Sequence, residues 1–247
     1  IFFTFQIYGD FSGYSDIAIG TSRLFGFDLK RNFAFPYFSR DIAEFWRRWH
    51  ISLSTWFRDY LYIPLGGSKG SMFKKVRNVF IIFLVSGFWH GANWTFVLWG
   101  AVNAFYFVPL LLYKKNRNHI DVVAKNRIFP KLRELGQMTI TFGLTTFAWI
   151  IFRAESVGHA LEYIQGIFSS SVMSLPHFHN SPRAISTILL IVFMMLIEWI
   201  GRQDDHALNT LLIKKKRLVR WSFYSFVIFL MGMFMATEES PFIYFQF

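Results

Sequence analysis

Long apolar runs constrain this sequence more than any other feature. A helix needs about 17–25 apolar residues to cross a bilayer. Four runs meet this requirement, namely Ala92–Tyr113, Gly136–Phe152, Ala184–Ile200 and Val219–Ala236. Only 17% of the residues are charged, against about 25% in a soluble domain. The sequence therefore predicts an all-α, polytopic transmembrane helical bundle.

Two further segments are apolar but less regular. Ile1–Phe27 is long enough to span, yet it carries Asp10, Asp16 and Arg23. Asp16 and Arg23 share one helical face, so they could form a structural ion pair, or Asp16 could have a functional role. Val79–Gly91 is a helical run of only ~20 Å at ~1.5 Å per residue, shorter than the ~30 Å hydrocarbon core. We expect it to enter the membrane without crossing it.

Basic residues occur in blocks between the apolar runs, and the formal net charge is +11. The blocks cover residues 69–77, 114–117, 125–133, 202 and 214–220. Excess Lys and Arg marks the cytoplasmic ends of membrane spans, so the charge predicts topology and no nucleic-acid partner. No Lys or Arg occurs from Ala154 to Pro182. We therefore expect this loop to be external and Ala184–Ile200 to return to the cytoplasm.

The stretch "FLVSGFWHGANWTF" places His90 inside an apolar region. Basic blocks flank Val79–Tyr113 at both ends, which predicts two helical legs that meet near "SGFWHGAN". Gly87 and Gly91 permit such a break. His90 would then lie at membrane depth, where irregular backbone is tolerated only inside protein or beside a cavity.

The segment from Asp28 to Ser71 is rich in aromatic residues and Arg. Its apolar residues recur at helical spacing, at Ile42, Phe45, Trp46, Trp49 and Leu53. This pattern is typical of an amphipathic helix that lies at the membrane interface or is partly inserted, against membrane lipids. Pro64 and the following glycines close the segment.

His90 and His50 are the ionisable side chains that could carry chemistry. Histidine accepts and returns a proton near neutral pH, although a neutral imidazole can also simply donate to a backbone carbonyl at the break. Arg47 and Arg48 could bind phosphates of a donor or lipid headgroups. The chain has no cysteine, which excludes an acyl-Cys intermediate. It also lacks the H-E-x-x-H metal motif and a P-loop, so no metal is expected.

Four motifs resemble the membrane-bound O-acyltransferase (MBOAT) family, in particular its bacterial alginate O-acetyltransferase-like branch. They are "QIYGDFSGYSDIAIG", "EFWRRWHISLSTWFRDYLYIPLGG", "SGFWHGANWTFVLWG" and "PFIYFQF". The resemblance runs from the first residues to the last. It implies a helical bundle with interfacial or re-entrant helices around a tunnel. Because family members are about twice as long, residues 1–247 are expected to form one membrane-embedded domain, the C-terminal portion of a longer chain whose N-terminal helices are missing.

The resemblance also implies a function. His50 in "RRWH" and His90 in "FWHG" would line the tunnel, with His90 assigned to catalysis. The family moves an acyl group from a cytoplasmic thioester donor to a hydroxyl. In this branch the group is acetyl, given by acetyl-CoA or another thioester with no bound cofactor. Its destination is an alginate-like exported polysaccharide, often through a periplasmic acetyltransferase partner. The location would be the bacterial inner membrane.

Five residues are added as candidates for substrate binding, namely Trp89, Asn93, Arg47, Arg48 and Asp16. Asn93 or a freed backbone N–H could support a developing oxyanion. Three alternatives stay open. The chain could transfer D-alanyl or another acyl group to teichoic acid or a different surface polymer. It could be a proton-coupled transporter, since buried Asp and His at a broken helix suit that role. It could also be a non-catalytic scaffold that docks the periplasmic partner.

Overall fold

The computed structural model describes residues 1–169 and 181–235 of the chain. Within these two ranges it contains nine α-helices and no β-strand. The helices are α1 (Phe2–Leu24), α2 (Ile42–Arg48), α3 (Ile51–Phe57), α4 (Met72–His90), α5 (Trp94–Leu112), α6 (Leu132–Arg153), α7 (Val157–Ile167), α8 (Ser181–Gly201) and α9 (Arg217–Phe234). A 3-10 turn, Pro36–Phe38, precedes α2, and a π-helical turn, Arg58–Tyr62, follows α3. The all-α prediction is confirmed.

Four helices are long and apolar enough to cross a membrane, and they are α5, α6, α8 and α9. They coincide with the four predicted spans to within a few residues. Ala236, the last residue of the fourth prediction, lies outside the described residues. Large apolar side chains on α8 and α9 are exposed, among them Leu189, Leu196 and Phe229. Helices of this kind place such side chains against lipid.

The break at His90 is present and turns α4 and α5 into a closely packed antiparallel hairpin. α4 ends at His90 and is capped by Gly91, whose φ of 156° suits glycine. A Cβ on Gly87 would lie 2.2 Å from the carbonyl oxygen of Phe96, and one on Gly100 would lie 2.2 Å from that of Phe83. The two helices therefore touch backbone to backbone, which only glycine allows.

The expected short leg before His90 is wrong. α4 begins at Met72, because the Ser71 side chain accepts a hydrogen bond from the backbone N–H of Lys74 and starts the helix there. Its 19 residues extend ~28 Å at ~1.5 Å per residue, close to the thickness of the hydrocarbon core. The lysines and arginine of the first turns lie on the helix rather than in a loop.

The helix bundle has two opposite ends, which the directions of the helices define. The basic end comprises the connections 63–71, 113–131 and 202–216, where Arg202 donates to the carbonyls of Val123 (3.0 Å) and Ala124 (2.9 Å). The opposite end comprises residues 91–93 and 154–156, which are joined by a 2.9 Å hydrogen bond from Asn93 to the carbonyl of Glu155. These directions agree with those required by the charge pattern.

The segment from Asp28 to Ser71 is not one interfacial helix, and that prediction is wrong. Its helix stops at Arg48, His50 takes a left-handed conformation (φ 44°, ψ 57°), and a new helix begins at Ile51. A neighbouring stretch of chain takes over the backbone groups at this break. Ala34 donates to the carbonyl of Arg48 (3.0 Å) and Ile51 donates to that of Asn32 (2.9 Å). Phe45 and Trp49 are buried in the aromatic core, not in an interface.

Two ionic features were not foreseen from local spacing. Asp16 does not pair with Arg23, so that prediction is wrong; it lies 3.4 Å from His206, while Arg23 lies 3.9 Å from Asp28. The connection between α8 and α9 supplies His206, a partner that a helical-spacing rule cannot indicate. A buried carboxylate, Glu44, accepts hydrogen bonds from Arg40 and Arg48. This network fixes α2 in the core.

Candidate active site

Both sequence-predicted histidines border one cavity of about 250 Å³, here called the central cavity. It lies between the α2–α3 segment and the α4–α5 hairpin. Its walls include Trp46, Trp49 and Trp99. One cavity therefore borders both histidines, although they belong to different motifs.

His90 is placed by the end of α4 and by rings from two other helices. Its ring centroid lies 5.3 Å from that of Trp99 and 5.0 Å from that of Phe152, both edge-on. The following residue, Gly91, leaves no room for a side chain, since a Cβ would lie 2.8 Å from the ring of Phe96. The imidazole therefore has a defined position at an apolar end of the cavity.

His50 is placed by the left-handed backbone between α2 and α3. Its ring lies 4.7 Å from that of Phe11. Burial lowers the pKa of His50 to about 4, so the imidazole is neutral at pH 7. Trp89 contacts both histidines, with its ring 6.4 Å from His50 and 5.1 Å from His90. Trp89 is therefore the one added candidate that the structure brings to the pair.

The central cavity runs along α4 from Val79 to His90, about 16 Å at ~1.5 Å per residue. Since α4 begins at the basic end, the far part of the cavity opens there. Polar side chains line that mouth, namely Arg58, Tyr62, Ser68, Asn116 and Arg117. The cavity thus has aromatic walls beside His90 and a cationic mouth at the basic end.

The two mouth arginines differ in their partners. Arg58 forms a bidentate contact with the adjacent carboxylate of Asp59, at 2.7 and 3.1 Å. Arg117 is exposed, and no carboxylate of the described chain lies within 4 Å of its guanidinium. Sequence reasoning missed both residues. Arg58 stands inside the quoted "STWFRDYLY" motif, so a signal for it existed, whereas Arg117 lies in an ordinary basic block.

Arg47 and Arg48 do not border the central cavity. Arg47 donates to the carbonyls of Asn116 (2.8 Å) and His119 (2.6 Å). Arg48 donates to Glu44 (2.6 Å) and to backbone carbonyls. Both guanidinium groups hold the 113–121 turn against α2, and this turn carries the mouth residues Asn116 and Arg117.

Asn93 and Asp16 also lie away from the two imidazoles. Asn93 caps α5 by accepting from the N–H of Thr95 (3.1 Å), and its amide nitrogen donates to Glu155. Asp16 borders a different cavity of about 890 Å³ between α1, α8 and α9, here called the lateral cleft. This cleft also contains Glu198 and His206. Within the described residues no group of three His, Cys, Asp or Glu side chains could hold a metal.

The arrangement suits proton transfer in a dry site. A neutral imidazole can take a proton from a hydroxyl that attacks a carbonyl. Aromatic walls exclude water, which strengthens such an interaction and limits hydrolysis. A cationic mouth attracts an anionic reactant and raises its local concentration.

The fold and the site define a helical membrane protein with a histidine-lined cavity. The family model described as MBOAT, membrane-bound O-acyltransferase family, matches residues 1–141. The chain belongs to this family.

Named relatives extend the comparison. The chain is 44% identical over 179 residues to a protein named probable alginate O-acetylase AlgI from Pseudomonas aeruginosa, covering 72% of this chain and 32% of the relative. It is 32% identical over 263 residues to a peptidoglycan O-acetyltransferase from Helicobacter pylori, covering 99% and 48%. It is 34% identical over 161 residues to a teichoic acid D-alanyltransferase from Streptococcus thermophilus, covering 60% and 39%. The chain thus spans about a third to a half of the length of these relatives.

Proposed function

We propose that the whole protein is an O-acetyltransferase of the bacterial inner membrane that acetylates hydroxyls of an exported polysaccharide resembling alginate. The single observation that carries this proposal is the pair of imidazoles, His50 and His90, on one cavity whose mouth is cationic. Membership of the family and the similarity to alginate and peptidoglycan O-acetylating proteins support the reaction class.

The donor in this proposal is acetyl-CoA, which approaches from the cytoplasm through the mouth at the basic end. Its sulfur and its first phosphorus are joined by about 13 bonds, or ~15 Å at the spacing of an extended backbone. The part of the cavity that borders α4 extends ~16 Å from Val79 to His90. A thioester carbonyl beside His90 would therefore leave the phosphates near Arg58 and Arg117, which match phosphate charge.

The chemical step is a direct transfer from sulfur to oxygen. The acceptor oxygen forms a bond to the carbonyl carbon of the thioester while its proton moves to the His90 imidazole. The carbon–sulfur bond then breaks, and the imidazolium returns the proton to the leaving thiolate. No acyl-enzyme is needed, which fits a chain without cysteine.

His50 has a supporting role in this proposal. As a neutral imidazole it can donate one hydrogen bond, either to the thioester carbonyl as negative charge develops or to a backbone group. Trp89, which contacts both histidines without bordering the central cavity, would position the two imidazoles. Arg47 and Arg48 act indirectly, because they hold the turn that carries Arg117.

Two further parts of the function lie outside this chain in our proposal. The acceptor is reached on the periplasmic side, in part through a periplasmic acetyltransferase partner that carries the group to the polymer. Transfer of D-alanyl groups to teichoic acid is the second candidate, favoured by the similarity to the D-alanyltransferase over 60% of the chain. The same cavity and histidines would serve it with a different donor.

Oriented membrane vesicles that contain the whole protein test this function. Labelled acetyl-CoA, which does not cross membranes, is offered to inverted or to right-side-out vesicles together with a short uronate oligomer on both sides. Acetyl esters are expected only when the donor meets the cytoplasmic face. Ester formation from the periplasmic face, or ion flux without ester formation, would contradict the proposal. Labelled D-alanyl carrier as the preferred donor would favour the second candidate.

The mouth is tested in the same assay with Arg117→Gln. Loss of one phosphate contact is expected to raise the KM for acetyl-CoA about 10-fold, equivalent to ~1.4 kcal/mol, with kcat nearly unchanged. Arg23→Gln is the matched control, because it removes an exposed charge that borders the lateral cleft instead. An equal change in both variants would show that general surface charge, not the mouth, attracts the donor.

A further inference from the structure

A second polar cavity of about 380 Å³ lies at the opposite end of the molecule, where α6 meets α7 and the start of α1. We call it the corner cavity. Its lining combines aromatic, polar and charged side chains, among them Thr146, Trp149, Arg153, Glu155, His159 and Tyr163. Its size falls within the ~300–1,000 Å³ typical of small-molecule sites. None of the roles assigned above uses it.

Arg153 gives the corner cavity its charge. It is the last basic residue before the stretch from Ala154 to Pro182, which contains no Lys or Arg. Its guanidinium lies over the ring of Phe3, 4.9 Å from the centroid, which orients it. Within the described residues no carboxylate lies within 4 Å of it, including that of Glu155. Its fork of N–H donors is therefore available for a carboxylate.

The remaining lining suits a sugar. Tyr163 is exposed and offers a flat apolar face with a polar edge, whereas Trp149 is almost fully buried and its ring already packs against those of Trp49 and Trp99. Glu155 can accept hydrogen bonds from hydroxyl groups, and Thr146 can both donate and accept. The turn that carries Glu155 is fixed by the 2.9 Å hydrogen bond from Asn93, which lies three residues after His90.

Two rings in series separate the corner cavity from His90. Trp149 borders the cavity, its ring lies 5.2 Å from that of Phe152, and Phe152 in turn lies 5.0 Å from His90. Both rings are almost fully buried. A ligand in the corner cavity therefore reaches the imidazole only if both side chains move.

We propose that the corner cavity binds the acyl acceptor as a carboxylated sugar, with Arg153 pairing with the carboxylate and with the sugar ring against Tyr163. A hydroxyl of that sugar reaches His90 when the side chains of Trp149 and Phe152 move aside, and the transfer then follows the bond changes given above. This assignment rests on the proposed function for its purpose, but sugar binding is measurable without turnover.

Equilibrium dialysis of a labelled short uronate oligomer against the whole protein in lipid nanodiscs tests the site. Wild type and a His90→Gln variant are expected to bind it alike. Arg153→Gln should weaken binding at least 10-fold, and Arg153→Lys should weaken it less because the charge remains. Arg183→Gln is the matched control, since it removes an exposed cation at the start of α8 that does not border the cavity.

Three results would overturn the assignment. Binding of the carboxyl-reduced oligomer as tightly as the uronate, or wild-type affinity in Arg153→Gln, would remove Arg153 from an acceptor site, and so would absence of binding to the wild type. Thermal unfolding of each variant separates loss of fold from loss of binding, and Arg153→Lys supplies a second reading if the Gln variant is unstable. Binding without any acetyl transfer would instead contradict the proposed function.

Discussion

The central cavity and the lateral cleft both place imidazole side chains near apolar helices, but the groups around these imidazoles differ. In the central cavity the described neighbours of His50 and His90 are aromatic rings from α1, α5 and α6. In the lateral cleft His206 lies 3.4 Å from the carboxylate of Asp16, and Tyr8 donates to Glu198 at 2.6 Å. Rings exclude water from the imidazoles of the central cavity, whereas the imidazole of the lateral cleft lies beside a carboxylate.

The backbone around the two cavities also differs. The central cavity is bounded by interrupted helices, with a left-handed residue at His50 and a glycine break after His90. The lateral cleft is bounded by the uninterrupted helices α1, α8 and α9. Interrupted backbone with special φ and ψ values is concentrated at functional sites because it positions side chains in ways that regular helices do not. The difference indicates that polar groups in an apolar bundle need not share a role.

The largest expected effect comes from replacing one histidine in each cavity. His90→Gln should lower acetyl transfer by about 10²–10⁴-fold, the usual contribution of a general base. His206→Gln should leave the rate within a few-fold of wild type, because His206 lies in the lateral cleft. Measured O-acetyl content of the surface polysaccharide, in cells with equal amounts of each protein in the membrane, decides between them. Equal losses in both variants would end the distinction.

The second effect concerns backbone contact. Gly87→Ala places a Cβ 2.2 Å from the carbonyl oxygen of Phe96 and must push α4 from α5. We expect a loss of ~1–3 kcal/mol in stability and a larger loss of activity, because His90 moves with α4. Gly13→Ala on the lateral cleft meets no atom within 4 Å and should be neutral or slightly stabilising. Unfolding in detergent compares them, and a stable Gly87→Ala would refute the tight hairpin.

The smallest expected effect concerns the pH dependence of native stability. The native pKa of His50, about 4, lies below the ordinary value of 6.5. As pH falls from 6.5 towards 4, His50 becomes protonated in the unfolded chain but stays neutral in the native protein. Native stability therefore declines over this window. His50→Gln removes this loss, and the variant should lose ~1–2 kcal/mol less stability than wild type between pH 6.5 and 5. Parallel pH curves for the melting temperatures of both proteins would contradict this expectation.

Part of the candidate site was predictable from local signals. The helix break at His90 was indicated by the sequence, because Gly87 and Gly91 lie on either side of this histidine and basic blocks flank the whole region. The motifs also identified His50. The mouth residues Arg58 and Arg117 were not found, because sequence spacing does not tell which arginine of a basic block faces a cavity. Arg47 and Arg48 were chosen instead, and their guanidinium groups hold a turn.

The sequence alone determined the all-α membrane class, the four apolar spans and the direction of the helices, because hydrophobic length and the position of basic residues act within one segment at a time. Tertiary structure decided where the amphipathic segment breaks, since the earlier residues Asn32 and Ala34 fold back and bond the backbone on either side of His50. It also gave Asp16 its partner, His206, 190 residues away. Long-range partners of backbone and charged groups follow from packing, and packing has no local signature.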